Sequence, residues 1–299
     1  MATLREIRQR ITGVKSTQKI TKAMKMVAAA KLRRAQEGIV ATRPYANKMK
    51  QLMRHLVTKV DPTINPLLSP REVKKVAVVI VSSDRGLCGA FNTNIIKAAV
   101  NHMQANYAEQ LEAGVGVKII TVGKKAFDFF NKRDYEIYSK HVGIFAAIDF
   151  NHARAIVAEL TEGYLKGEFD KVELIYNEFK SVIQQRIVVE QLLPIPPEEL
   201  HATNNLKSLA QVEYIYEPSA HEIINALVPR HLNFQMWRVL LESNAAEQGA
   251  RMTAMDNATT NASEMIRDLT LSYNKARQAA ITKELLEIVS GAEALKKAG

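Results

Sequence analysis

Residues 3–30 read TLREIRQRITGVKSTQKITKAMKMVAAA, and the fold is decided there. The stretch has one glycine, Gly13, and no proline. Thr3 and Glu6 stand at capping-box spacing, where a hydroxyl and a carboxylate satisfy the first free amides of a helix. Leu4, Ile7, Ile11 and Val14 then follow the 3–4 spacing of a coiled-coil seam. The same register next falls on the polar residues Gln18, Thr21 and Lys25, while an apolar stripe moves to Ile20, Met24 and Val27. That pattern predicts a stutter or a partial change of partner. Ala28-Ala29-Ala30 follows, small enough for a neighbouring helix to come close.

Working outward, helix-forming sequence continues to about Thr58, and Arg43-Pro44-Tyr45 predicts a kink or break. The other end of the chain matches it. Arg230 to Ser290 has no proline and one glycine, Gly249, and Gly291 is the predicted stop. Leu241, Ala245, Met252, Met255, Ala262, Ile266, Leu269, Tyr273, Ala276 and Ala280 keep coiled-coil spacing, interrupted by Gln248 and Thr259. A helix of such length extends roughly 90 Å at 1.5 Å per residue. Two of them at opposite chain ends meet only as an antiparallel hairpin closed by the middle segment. The expected organisation is a coiled-coil helix over 1–59, an α/β head over 60–229 and a second coiled-coil helix over 230–299.

The middle alternates. Val76–Val81 is an unbroken apolar run, as in a parallel strand covered on both faces. Helix follows at 92–104, a strand at Val117–Val122, and helices at 124–132 and 151–166. Val172–Tyr176 and Arg186–Glu190 are further strands, open to antiparallel pairing, and Glu213–Glu217 is a candidate last strand. The segment 194–209 is loop-like. This order predicts a Rossmann-like open sheet, so the fold class is an α/β head plus a long antiparallel two-helix coiled coil from the chain ends.

Composition narrows the function classes. No apolar run reaches the ~18 residues of a membrane span, and the N-terminus predicts no signal peptide. The single cysteine, Cys88, excludes an intrachain disulfide. The net charge of +10 is uneven: residues 1–59 hold 15 Lys+Arg against 2 Asp+Glu. A helix so basic calls for an anionic partner, whether nucleic acid, a lipid surface or an acidic protein sleeve.

Catalytic chemistry is hard to find. Ser82–Asn92 follows the first strand and opens a helix, the place where α/β sheets bind phosphate. Neither glycine-rich phosphate fingerprint is present, so a tight turn is the commoner reading. Cys88 reads as a packed small residue rather than a reactive thiol, and Asp84 as a turn carboxylate rather than half of a catalytic pair with Arg85. The seven histidines (55, 102, 141, 152, 201, 221 and 231) lack metal-ligand spacing. The expected site content is no catalytic, cofactor or metal residue.

Residues 17–34, TQKITKAMKMVAAAKLRR, resemble the N-terminal signature of the ATP synthase gamma subunits. Residues 83–92, SDRGLCGAFN, resemble that family's central motif, and residues 242–255 and 274–282 its C-terminal helix. The match runs through both ends and the centre. It implies the central rotor stalk of the F1 sector, a non-catalytic subunit whose helix pair turns inside a ring of three alpha and three beta subunits. The head then sits beside the epsilon subunit and the c-ring, at the cytoplasmic face of a bacterial plasma membrane. It further implies that rotation couples proton flow to ATP synthesis or hydrolysis on the ring. By position, Arg277, Gln278 and Thr282 match residues that contact the beta-subunit catch loop, with Met24 and Lys25 on the facing helix. Lys25 departs from the acidic residue common in the family, and Gly249 from Ala or Ser. Leu285, Leu286, Ile288 and Val289 are the expected apolar tip in its bearing. Chloroplast relatives carry a cysteine pair on an insertion, and Cys88 lies outside any such place, so no thiol switch is expected. Two alternatives stay open: a nucleic-acid-binding protein using the basic helix, which lacks interleaved aromatics, and a nucleotide-dependent enzyme using Ser82–Asn92.

Overall fold

A computed structural model describes residues 3–57, 65–112, 114, 116–182, 184–196 and 216–298. Helix α1 spans Leu4–Val57 and helix α6 spans Ala220–Ala298. Between them lie β1 Val76–Val81, α2 Phe91–Asn106, α3 Ala108–Glu112, β2 Val117–Val122, α4 Lys124–Phe130, β3 Glu136–His141, α5 Phe150–Leu165, β4 Lys171–Phe179 and β5 Gln185–Leu193. The candidate strand at Glu213–Glu217 and the loop after Ile195–Pro196 fall largely outside the described residues. Among described residues no helix is long and apolar enough to cross a membrane.

The five strands form one sheet in the order β3-β2-β1-β4-β5. β1 pairs parallel with both β2 and β4, and β5 closes the sheet antiparallel to β4. The continuous apolar reading of β1 has a direct cause. Ala77, Val79 and Val81 face one core, with Ile156, Leu160, Leu232 and Met236 of α5 and α6. Val76, Val78 and Ile80 face the other, with Ile95, Ala99, Met103 and Phe130 of α2 and α4. β3 is absent from the sequence reading because Glu136-Ile-Tyr-Ser-Lys-His141 is a polar edge strand, exposed or half-buried throughout.

The break expected at Pro44 and the stop expected at Gly291 are overridden, and Pro229 also lies inside a helix. α1 runs through Pro44, and α6 runs through Pro229 and Gly291. A helical proline removes one donor from the carbonyl four residues back. Here Val40 and Pro44 are both exposed, as are Asn225 and Pro229, so water can satisfy the orphaned oxygens. The C-terminal helix accordingly starts at Ala220 rather than near Arg230.

The chain divides into two compact units. One comprises Met1–Val27 with Met252–Gly299, the other Ala28–Arg251. In the second unit the sheet holds α6 as an integral core element: Ile224, Val228, Leu232, Met236, Val239 and Leu240 belong to the larger core cluster. α1 packs antiparallel on α6 there, with Leu32 and Ala35 against Ala245 and the Tyr45 ring 4.2 Å from that of Phe234. Gly249 lies under the β4–β5 hairpin, where an added Cβ would sit 3.4 Å from Phe179 and 3.5 Å from the Val182 carbonyl. That is ordinary contact, and alanine has up to ~1 kcal/mol better helix propensity than glycine. Gly249→Ala is therefore expected to leave stability unchanged or raise it by up to about 1 kcal/mol. A urea midpoint clearly below that of the parent chain would contradict the packing.

Candidate functional site

The first place to look for a ligand is the carboxyl end of the sheet between β1 and β4, where the strand order reverses. In this fold the turn leaving β1 is engaged on both sides by the chain itself: Cys88 and Phe91 pack toward α6 and Phe179 of β4, and Asp84 reaches the other way, toward the ends of β2 and β3. Asp84, three residues past the end of β1, accepts hydrogen bonds from the backbone amides of Lys124 at 3.0 Å, Gly143 at 2.8 Å and Phe145 at 3.1 Å. Lys124 opens α4, so the carboxylate occupies an anion position at that helix start. The turn reading of Asp84 thus stands, with a wider reach than the sequence showed.

The rest of the turn is packed against α6. Cys88 and Phe91 cluster with Ala246, beside Phe179 and Ala250. Arg251 of α6 donates to the carbonyl of Gly86 at 3.2 Å and is paired with Glu247 at 2.6 Å. Burial pushes the Glu247 carboxyl up against the opposing pull of Arg251. Asn92 accepts from the Ser83 amide at 3.0 Å, closing the turn on itself. The turn that might have cradled a phosphate instead grips a helix.

Cys88 is 1% exposed, and burial raises its thiol above the ordinary value. A raised, buried thiol is a poor nucleophile. Native Cys88 is expected to react with iodoacetamide at least about ten-fold more slowly than the unfolded chain. Equal rates would refute the packing.

A second polar cluster joins the sheet to α6. Glu190 of β5 accepts from Arg238 at 2.5 and 2.7 Å, from Gln235 at 2.7 Å and from the Tyr176 hydroxyl at 2.8 Å. Burial works to raise the Glu190 carboxyl, but Arg238 and the neutral donors outweigh it and hold it low. Sequence reading missed this cluster, since Glu190 looked like one polar residue of an alternating strand.

The first unit is a helix pair with one register. Gln18 donates to Ser263 at 2.6 Å, Thr21 and Thr259 share a hydrogen bond at 2.7 Å, and Lys25 pairs with Asp256 at 2.6 Å. The expected stutter is therefore absent. The seam continues through Gln18, Thr21 and Lys25, whose polar side chains meet polar side chains of α6. Ile20 and Val27, expected to take over the seam, are 59% and 57% exposed instead. Thr259, read as a separate interruption, is the other half of the same contact.

That register places the residues matched to the catch-loop contact. Arg277, Gln278 and Thr282 are all exposed. Residues 18, 21 and 25 oppose 263, 259 and 256, so Arg277 lies opposite the very start of α1. Met24 and Lys25 lie at the level of Asp256, 21 residues or roughly 30 Å along the helix from Arg277. The two groups therefore do not form one cluster. Lys25, read as an added positive charge, is partly balanced by Asp256. Leu285, Leu286, Ile288 and Val289 are 54–65% exposed. With Ile20, Met26, Val27, Met265, Leu271 and Ile281 they leave this unit with an outward apolar surface of a kind that marks interaction sites. Arg5, Arg8, Arg10, Lys15, Lys19 and Lys22 are exposed on the same stretch of α1.

An α/β sheet packed on α6 and on the end of α1, within an antiparallel helix pair, is the architecture the described residues define. A protein-family model described as ATP synthase matches residues 3–295. The ATP synthase gamma chain of Chloroherpeton thalassium is 58% identical over 99% of both chains, and that of Chlorobaculum parvum 58% identical over 99% of this chain and 100% of its own. Among solved structures, the central stalk and c-ring assembly of the Tetrahymena thermophila mitochondrial ATP synthase includes a chain with 27% identity and a TM-score of 0.57, matched over 80% of this chain and 99% of its own. A chain of the Euglena gracilis mitochondrial ATP synthase shares the fold at a TM-score of 0.67. The chain belongs to the ATP synthase gamma family. Neither these relatives nor the site geometry supports the nucleic-acid alternative.

Proposed function

We propose that this chain is the turning shaft of a rotary ATP synthase and does no bond chemistry itself. Residues 1–59 and 230–299 act as the shaft, and residues 60–229 as the head through which it is driven. The observation that carries the reading is the first unit's surface: its seam is satisfied internally while apolar and basic side chains face outward. A helix pair built for its own stability has no need of those exposed groups. A sleeve of three alpha and three beta subunits would cover them, acidic where it meets α1. The head would meet the epsilon subunit and the c-ring at the cytoplasmic face of the membrane.

An asymmetric rod inside a threefold sleeve touches each neighbour differently, so it biases bistable catalytic subunits one after another. In that role Arg277, Gln278 and Thr282 contact the beta-subunit loop, Leu285 to Val289 turn in the apolar bearing, and Met24 and Lys25 form a separate contact lower on the shaft. The packing of Cys88 and Phe91 against Ala246 and Phe179, beside the β1–β4 crevice, favours a subunit that binds no nucleotide.

Three measurements test the reading. The chain is expected to co-purify with alpha and beta subunits at one copy per three of each; a different ratio rules the shaft role out. Arg277→Ala with Gln278→Ala should lower ATP synthesis per proton moved while leaving the urea midpoint of the isolated chain unchanged, because both side chains are exposed. Undiminished synthesis would remove these residues from the contact. ATPase rates of the assembled complex are expected to be the same with and without reductant.

A further inference from the structure

A groove of about 760 Å³ runs along the second unit between α5 and α6. On α5 its lining falls at Asn151, Arg154, Ala158 and Leu165, the spacing of a single helix stripe, and α6 adds Pro229 and Asn233 one turn apart. From Asn151 to Leu165 the stripe is roughly 21 Å long at 1.5 Å per residue, about four helical turns. Ala158, Leu165 and Pro229 make part of it apolar, and Leu165 is 54% exposed. At the Asn151 end stand four aromatic rings in series. Tyr45 lies 4.2 Å from Phe234, Phe234 5.5 Å from Phe150, and Phe150 5.9 Å from Trp237. None of the four is buried, and Tyr45 is 46% exposed. The free charges one helical turn from these rings have one sign. Lys48 follows Tyr45 on α1, Arg154 follows Phe150 on α5, and Arg230 precedes Phe234 on α6. All three are exposed, and none forms an ion pair among the described residues. The acids close by are already engaged: Asp149 caps α5 by accepting from the Asn151 amide at 2.7 Å, and Glu162 in the groove pairs with Lys166 at 2.6 Å.

We propose that this groove docks an acidic amphipathic helix of a partner protein, its apolar stripe laid along α5 and its carboxylates facing Arg154, Arg230 and Lys48. Helices enter such grooves through apolar side chains at i, i+3, i+4 and i+7, which matches the spacing of the lining. Trp, Tyr and Arg are the side chains that most often dominate the energy of an interface, and all three meet at the aromatic end. The unmatched cations select an acidic occupant and repel a basic one. A single-stranded nucleic acid also stacks on aromatic rings, but the groove lining beyond Phe150 carries none and includes Glu162.

Trp237 is the single tryptophan of the chain, so its emission reports on this site alone. The purified full chain is titrated with a tryptophan-free synthetic helix of about five turns, leucine on one face and glutamate elsewhere. The same helix with lysine in place of glutamate, and oligothymidylate, serve as comparisons. A saturable shift of Trp237 emission is expected with the glutamate helix, at least about ten-fold tighter than with either comparison. Arg154→Glu with Arg230→Glu should weaken the glutamate helix at least about ten-fold and leave the melting temperature unchanged, since both side chains are exposed. The contrast between the probes in the parent chain decides alone if that variant folds poorly. No saturable shift, equal affinity for the two helices, tighter binding of oligothymidylate, or a folded double variant that binds as the parent does overturns the proposal.

Discussion

Gly123→Ala is expected to destabilise the chain by about 3–5 kcal/mol, combining backbone strain with overpacking. Gly123 joins β2 to α4 with φ 95° and ψ 146°, a region open essentially to glycine alone. A Cβ there would stand 2.4 Å from the Ser82 carbonyl oxygen and 2.8 Å from its carbon. Both are backbone atoms of the end of β1, and they have nowhere to go. The Ser82 amide donates to Val122 at 2.8 Å, and its hydroxyl accepts from Ala126 at 2.9 Å. The Gly123 amide itself donates to His141 of β3 at 2.8 Å. The substitution thus strikes three strands at once, next to the amides that Asp84 gathers. Urea unfolding measures it, and a loss under about 1 kcal/mol would show that the turn is softer than its geometry.

Arg238→Met should cost about 2–4 kcal/mol at neutral pH. Removing one partner of a buried ion pair strands the other, typically at 3–5 kcal/mol, and the lower range here reflects an Arg238 side chain that is 38% exposed. Glu190 would keep Tyr176 and Gln235 as donors but lose its cation. The pH dependence separates this from simple loss of packing. In the parent chain the Glu190 carboxyl is depressed, so its stabilising contribution is present above the unfolded carboxylate value of about 4.3 and is lost as pH falls through the lower folded value. In the variant Glu190 is expected to titrate above its unfolded value, so the deficit should shrink as the pH drops and the stranded carboxylate takes a proton. Adding Glu190→Gln should recover part of the loss at neutral pH. A deficit that stays constant from pH 7 to the acid limit of folding would sink the ion-pair account.

Much of this architecture was legible in the residues. The all-apolar β1 announced a strand covered on both faces, and Thr3 with Glu6 announced the start of α1, where the Thr3 amide donates to Glu6 at 3.0 Å. The family motifs reached further than periodicity did. What failed has physical reasons. Hydropathy alone could not see that Gln18, Thr21 and Lys25 meet Ser263, Thr259 and Asp256, because a polar seam position looks like a gap until its partner is known. The proline rule overestimated Pro44, since it carries no knowledge of which side of the helix faces water. Glu190 and Asp84 drew little notice because their roles depend on residues 48 and 59 positions away, Arg238 and Gly143. The residues proposed to face a partner are the least accessible to such reasoning: among the described residues, Arg277 and Gln278 are exposed and nothing in the fold singles them out.

The register of the helix pair brings the start of α1 opposite Arg277, and every residue of α6 from Arg277 to Ala292 is exposed. Nothing among the described residues of this chain leans on that last stretch. Its side chains are therefore answerable only to neighbouring molecules, and the folding of the isolated chain is indifferent to them. Random mutagenesis read out by solubility should score the segment as dispensable, and the same library read out by growth on a respiratory carbon source should not. The distance between those two maps, residue by residue, would trace the surface that the proposed sleeve covers.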